Sequence, residues 1–346
     1  MTAALSPDSP PAAACAPRIA VIIPCYKVTR HIRDVLAAIS PEVTAVYCVD
    51  DACPEASGDF IESHTDDARV RVLRHARNKG VGGAVVTGYR AAIADGMEIL
   101  VKVDGDGQMD PRLLPLFVTP IARGQADYAK GNRFWDLGQI SRMPWLRRLG
   151  NLGLSFLAKA STGYWDLFDP TNGYTAIHAA VAARLPLKKL SERYFFETDL
   201  LFRLNAVRAV VVDVPMDAHY GEEVSNLSVG KVLGEFALKH ARNFAKRISY
   251  NYFLRDLSVA SLQLVAGVVL LLGGGAYGAV RWFELSAAGL AAPVGTVVLP
   301  AMAILSGLQL ILAFLNYDIA LRPRDVLHTR LPPLVSDQVR QRDMGE

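Results

Sequence analysis

The chain has 346 residues, 51% of them hydrophobic, and a formal net charge of only +3. That length holds one large domain or two small ones, and so even a charge balance argues against a nucleic-acid binder. The apolar residues are unevenly spread: no Lys, Arg, Asp or Glu occurs from Leu257 to Val280, and none between Glu284 and Asp318.

In chain order, residues 1–17 are rich in Ala, Pro and Ser, with no basic start and no apolar core. They read as a disordered tail rather than a signal peptide. The four cysteines (Cys15, Cys25, Cys48, Cys53) show no Cys-x-x-Cys spacing, and the seven histidines are scattered. They read as small buried hydrophobes in a reducing cytoplasm, not as zinc ligands. From Arg18, short apolar runs alternate with helical segments. Strands are predicted over Ile19–Ile23, Val43–Val49, Val70–Leu73 and Ile99–Val103, and helices over Val28–Ile39, Glu55–Thr65 and Gly82–Ala94. Nearly continuous apolar strands separated by helices predict an α/β domain with a parallel sheet covered on both faces.

Beyond Asp110 the pattern loosens. A helix (Pro111–Ala122), a strand (Asp127–Lys130), a Trp-containing stretch (Trp135–Trp165), a strand near Gly173–His178, a helix (Thr198–Val207) and a strand (Val210–Val214) close the domain at about residue 230. Residues 231–256 are helical and basic, carrying Lys239, Arg242, Lys246, Arg247 and Arg255. They lead into two apolar stretches, 257–280 and 293–317, each long enough to cross a bilayer, which takes roughly 20 residues. The loop between them, Arg281–Ala292, holds one Arg and one Glu. The positive-inside rule therefore predicts a multi-pass protein of the inner membrane, with the α/β domain, the 318–346 tail and both termini in the cytoplasm.

Ligands bind beyond the carboxyl ends of the strands in open parallel sheets. Four polar clusters are predicted there: Pro24-Cys25-Tyr26, Asp50-Asp51, Asn78-Lys79-Gly80, and Asp104-Gly105-Asp106-Gly107-Gln108. The last places two carboxylates one residue apart, a set able to hold a hard divalent cation that keeps positions for substrate phosphates. Asp50 and Asp51 read either as acceptors for a nucleotide base or as caps of the following helix. Asn78 to Gly83 reads either as a loop whose backbone approaches phosphate or as a plain Gly-rich helix start.

Taken in order, Pro-x-Tyr, Val-Asp-Asp, Arg-Asn-x-Gly-x-Gly-Gly-Ala and Asp-Gly-Asp-Gly-Gln-x-x-Pro resemble the family 2 inverting glycosyltransferases over roughly residues 18–230. Within them the chain is most similar to the dolichyl-phosphate mannose synthase and undecaprenyl-phosphate glycosyltransferase branch. Gly131-Asn132-Arg133-Phe134, Asp169-Pro170-Thr171-Asn172-Gly173-Tyr174 and Phe196-Glu197-Thr198-Asp199 match further. The resemblance implies a GT-A fold (a Rossmann-like nucleotide-binding sheet flanked by helices), here followed by a two-helix transmembrane hairpin. It implies Asp50 near the donor base, with Pro24, Tyr26, Asp51, Asn78, Lys79, Gly80 and Asp104 also on the donor. Mg2+ or Mn2+ would be held by Asp104, Asp106 and Gln108. Two features depart from the pattern: Ala52-Cys53 replaces the usual Gly-Ser, and His219–Ser225 only loosely resembles the family's Arg-x-x-Gly-x-Ser loop. Ser225 is the candidate acceptor contact in that loop. No Gln-x-x-Arg-Trp follows the Asp-x-Asp pair, which argues against a processive polysaccharide synthase.

For the acceptor, Trp145–Ala160 has the composition of an interfacial amphipathic helix, with an ordinary core-facing helix as the alternative. A polyprenyl phosphate acceptor calls for cations rather than a base, and Arg133 and Arg142 are the candidates. The expected reaction moves a sugar from a nucleoside diphosphate, with uridine favoured over GDP-mannose, to undecaprenyl phosphate with inversion. Asp106, Arg133 and Asp199 are the expected catalytic residues. The rivals are transfer to a glycolipid hydroxyl with Asp199 or Glu197 as base, a non-catalytic membrane partner, and a sugar nucleotidyltransferase. A homo-oligomer is compatible with the sequence.

Overall fold

The computed structural model describes residues 16–135, 145–216 and 229–332. They form two compact units, one built from residues 16–130, 173–193 and 328–332, the other from residues 131–135, 145–172, 194–216 and 229–327.

The first unit alternates β1 (Ile19–Cys25), α1 (Ile32–Ala37), β2 (Ala45–Asp50), α2 (Ser57–His64), β3 (Val70–Arg74), α3 (Val81–Ala94), β4 (Ile99–Lys102), α4 (Leu114–Ala122), β5 (Tyr128–Asn132) and β6 (Thr175–His178). Of the apolar runs that predicted strands, β1, β2 and β4 are buried on both faces, β2 and β4 at every position, whereas β3 is only partly buried, with Arg71 and Arg74 exposed. β1 pairs in parallel with β2 and β4, and β2 with β3. Including β7 (Val211–Pro215), the strand order is β3-β2-β1-β4-β6-β5-β7. The expectation of a parallel sheet is corrected on one side: β6 runs antiparallel to both β4 and β5. Periodicity reports burial but not direction, and the buried Thr175-Ala176-Ile177 of β6 looks the same either way. The chain returns late to this unit, where His328 donates its amide to Asp127 Oδ1 at 2.8 Å and stacks on His178 with centroids 4.1 Å apart.

The second unit takes the last two residues of β5 and β7, joined by Met216 N–H donating to Asn132 O at 3.2 Å. Its helices are α5 (Trp145–Thr162), α6 (Phe196–Ala206), α7 (Val229–Ser249), α8 (Val259–Ala287) and α9 (Val294–Ala320). α5 leaves Trp145, Leu152, Phe156 and Leu157 exposed. One buried knot ties α5, α7 and α9 together. Asp318 accepts from Arg247 Nη2 at 3.0 Å, Tyr252 Oη at 2.7 Å and Trp165 Nε1 at 2.9 Å, while Arg247 Nε donates to Ala160 O. Helices α8 and α9, of 29 and 27 residues, are long and apolar enough to cross a membrane. They pack closely as an antiparallel pair because glycines face each other: a Cβ on Gly307 would lie 2.6 Å from Leu271 N.

Candidate active site

Each strand end of the first unit delivers its predicted residues to a loop. Pro24 lies within β1 opposite Val49, and Tyr26 beyond it is exposed. Asp50 and Asp51 are buried at the end of β2, and their carboxylates are bound by the chain itself. Asp50 accepts from Cys53 N at 2.8 Å and Gly58 N at 2.7 Å, which folds the loop into α2. Asp51 accepts from Lys79 N at 2.8 Å and Gly80 N at 2.7 Å, and its Oδ1 lies 2.7 Å from His75 Nδ1. Asn78 Nδ2 donates to Asp51 O, and Gly82 N and Gly83 N both donate to Glu192 O. The amides of Lys79, Gly80, Gly82 and Gly83 are spent on a carboxylate and a carbonyl of this chain, which satisfy the orphan donors of the α3 N-terminus. Of the two readings of the Asp pair, organising the loop backbone is the one that this geometry displays.

The departure at Ala52-Cys53 has a local consequence. Ala52 sits at φ +52°, a conformation that glycine adopts at lower cost. Burial pushes the Cys53 thiol up, but the Ser57 hydroxyl and the Lys27 amide, donating at 3.1 and 3.0 Å, outweigh it and hold the thiol below its ordinary value.

Beyond β4, Asp104, Asp106 and Gln108 lie half-buried on one turn, with Gly107 at φ +77°. Asp106 Oδ1 accepts from Gln108 N at 3.0 Å, and Asp104 Oδ1 lies 2.9 Å from the ammonium of Lys102. Among the described residues, no group of three or more His, Cys, Asp or Glu could hold a metal ion. Two carboxylates and an amide are nevertheless hard oxygen donors, and they suit a Mg2+ or Mn2+ ion whose remaining positions go to phosphates and water. The residues fit such an ion as a shared ligand set, not as a closed cage.

In the second unit, the fully buried Asp169 accepts from Arg133 Nε at 2.7 Å and Nη2 at 3.1 Å, a two-point grip that fixes the guanidinium plane. The Arg133 amide at 3.4 Å and Thr171 Oγ1 at 3.3 Å also donate to Asp169. Beside them is a cavity of about 80 Å³, lined by Arg133, Asn151, Ser155, Phe168, Asp169 and Thr171 among others. Asp199 is also buried, accepting from Arg203 of its own helix α6 and from Asn243 of α7, each at 3.3 Å. Arg142 and Ser225 lie outside the described residues. Two residues carry more of the site than their sequence signals suggested. Asp169 was visible only as part of a motif, and Lys102, inside an apolar strand, gave no signal but its charge.

A mixed sheet of this order, with an Asp-x-Asp turn beyond its fourth strand, has the architecture of a GT-A-type fold. Residues 20–185 match the profile of Glycosyl transferase family 2. Among curated relatives, an undecaprenyl-phosphate mannosyltransferase of Micrococcus luteus is 28% identical over 229 residues, 65% of this chain and 93% of that protein. A UDP-N-acetylglucosamine–dolichyl-phosphate N-acetylglucosaminyltransferase of Methanococcus voltae is 30% identical over 154 residues, 44% of this chain and 61% of that protein. Among solved structures, mannosyl-3-phosphoglycerate synthase of Rubrobacter xylanophilus has a TM-score of 0.49 at 14% identity, over 70% of this chain and 77% of that one.

Proposed function

We propose that this glycosyltransferase moves one sugar from a nucleoside diphosphate, UDP in preference to GDP, onto polyprenyl phosphate with inversion, at the cytoplasmic face of the inner membrane. The observation that carries the reading lies within the second unit. Arg133 is fixed by a buried carboxylate at a small cavity with Asn151 and Ser155, in the same unit as two helices long enough to span a bilayer. That combination suits an acceptor with an anionic head and a lipid tail, and the polyprenyl and dolichyl phosphate transferases among the relatives support it.

The division of labour follows from charge. A phosphate monoester has its second pKa near 6, so at pH 7 its oxygen is already largely anionic. No proton need be removed before that oxygen attacks the anomeric carbon. As the new carbon–oxygen bond forms, the bond to the donor diphosphate breaks on the opposite face, which inverts the centre. Arg133 orients the acceptor phosphate and offsets its charge, with Arg142 and Ser225 as further contacts. Pro24, Tyr26, Asn78 and Lys79 frame the donor in loops that Asp50 and Asp51 hold in place. Asp104, Asp106 and Gln108 would hold a divalent ion, which when bound neutralises charge on the departing diphosphate. Asp199, tied to Arg203 and Asn243, positions helix α6 in this reading.

Membranes containing the protein are to be given a panel of labelled UDP- and GDP-sugars and undecaprenyl phosphate. The expected product is a lipid carrying one sugar per phosphate, formed with release of free UDP or GDP. Label found only in hydroxyl-linked glycolipid would overturn the reading.

A further inference from the structure

Lys102 ends the central strand β4, its Cα opposite Ile22 of β1 on one side and Thr175 of β6 on the other. Its side chain is 1% exposed. A buried ammonium is costly unless paired, and this one is paired with the first carboxylate of the Asp-x-Asp turn, 2.9 Å from Asp104 Oδ1. It also donates to Gly173 O at 3.1 Å. The chain is shaped around the pair: a Cβ on Gly173 would lie 2.5 Å from Lys102 Nζ and 2.7 Å from Asp104 Oδ2. A side chain at position 173 would require Lys102 and Asp104 to shift from this arrangement. If packing were all that this position required, a methionine would fill it without the desolvation cost.

We infer that Lys102 is a resident cation that offsets Asp104, so that a free divalent ion is held weakly and enters together with a nucleoside diphosphate. This rests on the reading of Asp104 and Asp106 as ligands. Two carboxylates and one ammonium leave a single net negative charge for a doubly charged ion to meet. Asp110, four residues beyond Asp106, is paired with Arg112 at 2.9 Å. An ion bound by Asp104 also shares that carboxylate with an ammonium, and like charges so close repel strongly in a low-dielectric setting. The diphosphate of a nucleotide supplies the missing negative charge. Metal and nucleotide then tighten each other's binding, and linkage makes the two factors equal.

The test is Mn2+ binding to full-length protein in detergent, read from the electron paramagnetic resonance signal of the free ion, with and without UDP or GDP. For the wild type, nucleotide should tighten Mn2+ binding at least tenfold, and Mn2+ should tighten nucleotide binding by the same factor. Lys102→Met should bind Mn2+ at least tenfold more tightly than the wild type without nucleotide, with the coupling correspondingly reduced. Lys102→Arg should keep the wild-type coupling. Should Lys102→Met not fold, Lys102→Gln, which loses the charge but can still donate to Gly173 O, gives the same reading. A folded, uncharged variant that binds Mn2+ no more tightly than the wild type overturns the inference alone. A wild type that binds no Mn2+ with either nucleotide overturns the ligand assignment and the inference with it.

Discussion

The grip of Asp169 on Arg133 makes the acceptor hypothesis testable, provided the right substitution is chosen. Asp169 is fully buried and Arg133 is 33% exposed, joined by two hydrogen bonds. Arg133→Ala would strand a buried carboxylate, and breaking such a pair from one side costs about 3–5 kcal/mol. Against a total stability of roughly 5–15 kcal/mol, that loss confounds any activity measurement. Arg133→Lys is the cleaner probe. It keeps the positive charge beside Asp169 and loses the planar fork that can hold a carboxylate and a phosphate together. The stability loss should be one charged hydrogen bond, about 1.5–3 kcal/mol, and visible as a lower urea midpoint with an unchanged slope. The catalytic loss should be at least tenfold, about 1.4 kcal/mol, in kcat/KM for undecaprenyl phosphate at saturating donor. Affinity for UDP and slow hydrolysis of the donor without acceptor should stay near wild type. Asp169→Asn should show the same lipid-specific defect, because the guanidinium loses its charged anchor. If both variants fold and use the lipid at the wild-type rate, Arg133 does not meet the acceptor phosphate. An equal loss in donor hydrolysis would place its role at the donor instead.

Asp106→Asn should abolish turnover with the unfolding midpoint preserved, and excess chelator should do the same to the wild type; full activity in chelator would refute the metal requirement. A cysteine at Ser286 should react with an impermeant thiol reagent applied from outside, and one at Ser336 should not; labelling of the second alone would reverse the proposed topology. The buried imidazole of His240 accepts from or donates to Ser161 Oγ at 2.8 Å, and desolvation pushes its pKa down from 6.5 to about 4. The unfolded chain then takes up the proton first as pH falls, so the stability due to neutral His240 is present above pH 6.5 and lost towards pH 4, with about 2 kcal/mol gone at pH 5. His240→Met should remove that part of the difference between urea midpoints at pH 7 and pH 5. Gly307→Val should unpack α8 from α9, measured as lower thermal stability in detergent, because its Cβ meets Leu271 N at 2.6 Å.

What the sequence made legible follows from which physical signals it writes out plainly. The predicted strand Ile19–Ile23 lies within the observed Ile19–Cys25, and the predicted Ile99–Val103 ends one residue beyond the observed Ile99–Lys102. A fully buried strand has no face on which to place polar residues, so its boundaries show as a change of composition. Helix ends are less marked. The segment Val28–Ile39 shrinks to Ile32–Ala37, since residues 26–31 bend through a loop in which Lys27 takes φ +60°. The Asp104–Gln108 turn stands out in the sequence because paired carboxylates directly follow a buried apolar strand.

The opposite holds for groups whose partners lie far along the chain. Asp50 and Asp51 have the composition of ligand-facing residues, yet their oxygens are taken by amides 3, 8, 28 and 29 positions away. Residue type gives the capacity to accept; only the fold decides what donates. Lys102 shows the same limit from the other side. In sequence it is a lone charge at the end of an apolar strand, which ordinarily reads as an edge turned to solvent. Its partner at Asp104 is two residues on, but the glycine that makes room for the pair is 71 residues away, in a loop read from sequence as a family motif. The same distance hides Asp169, which meets Arg133 across 36 residues. In both units the charged groups that sequence identifies most readily are held by partners that sequence alone does not connect to them. The substitutions that best separate chemistry from folding are therefore those that keep the charge and change its geometry, Arg133→Lys in one unit and Lys102→Arg in the other.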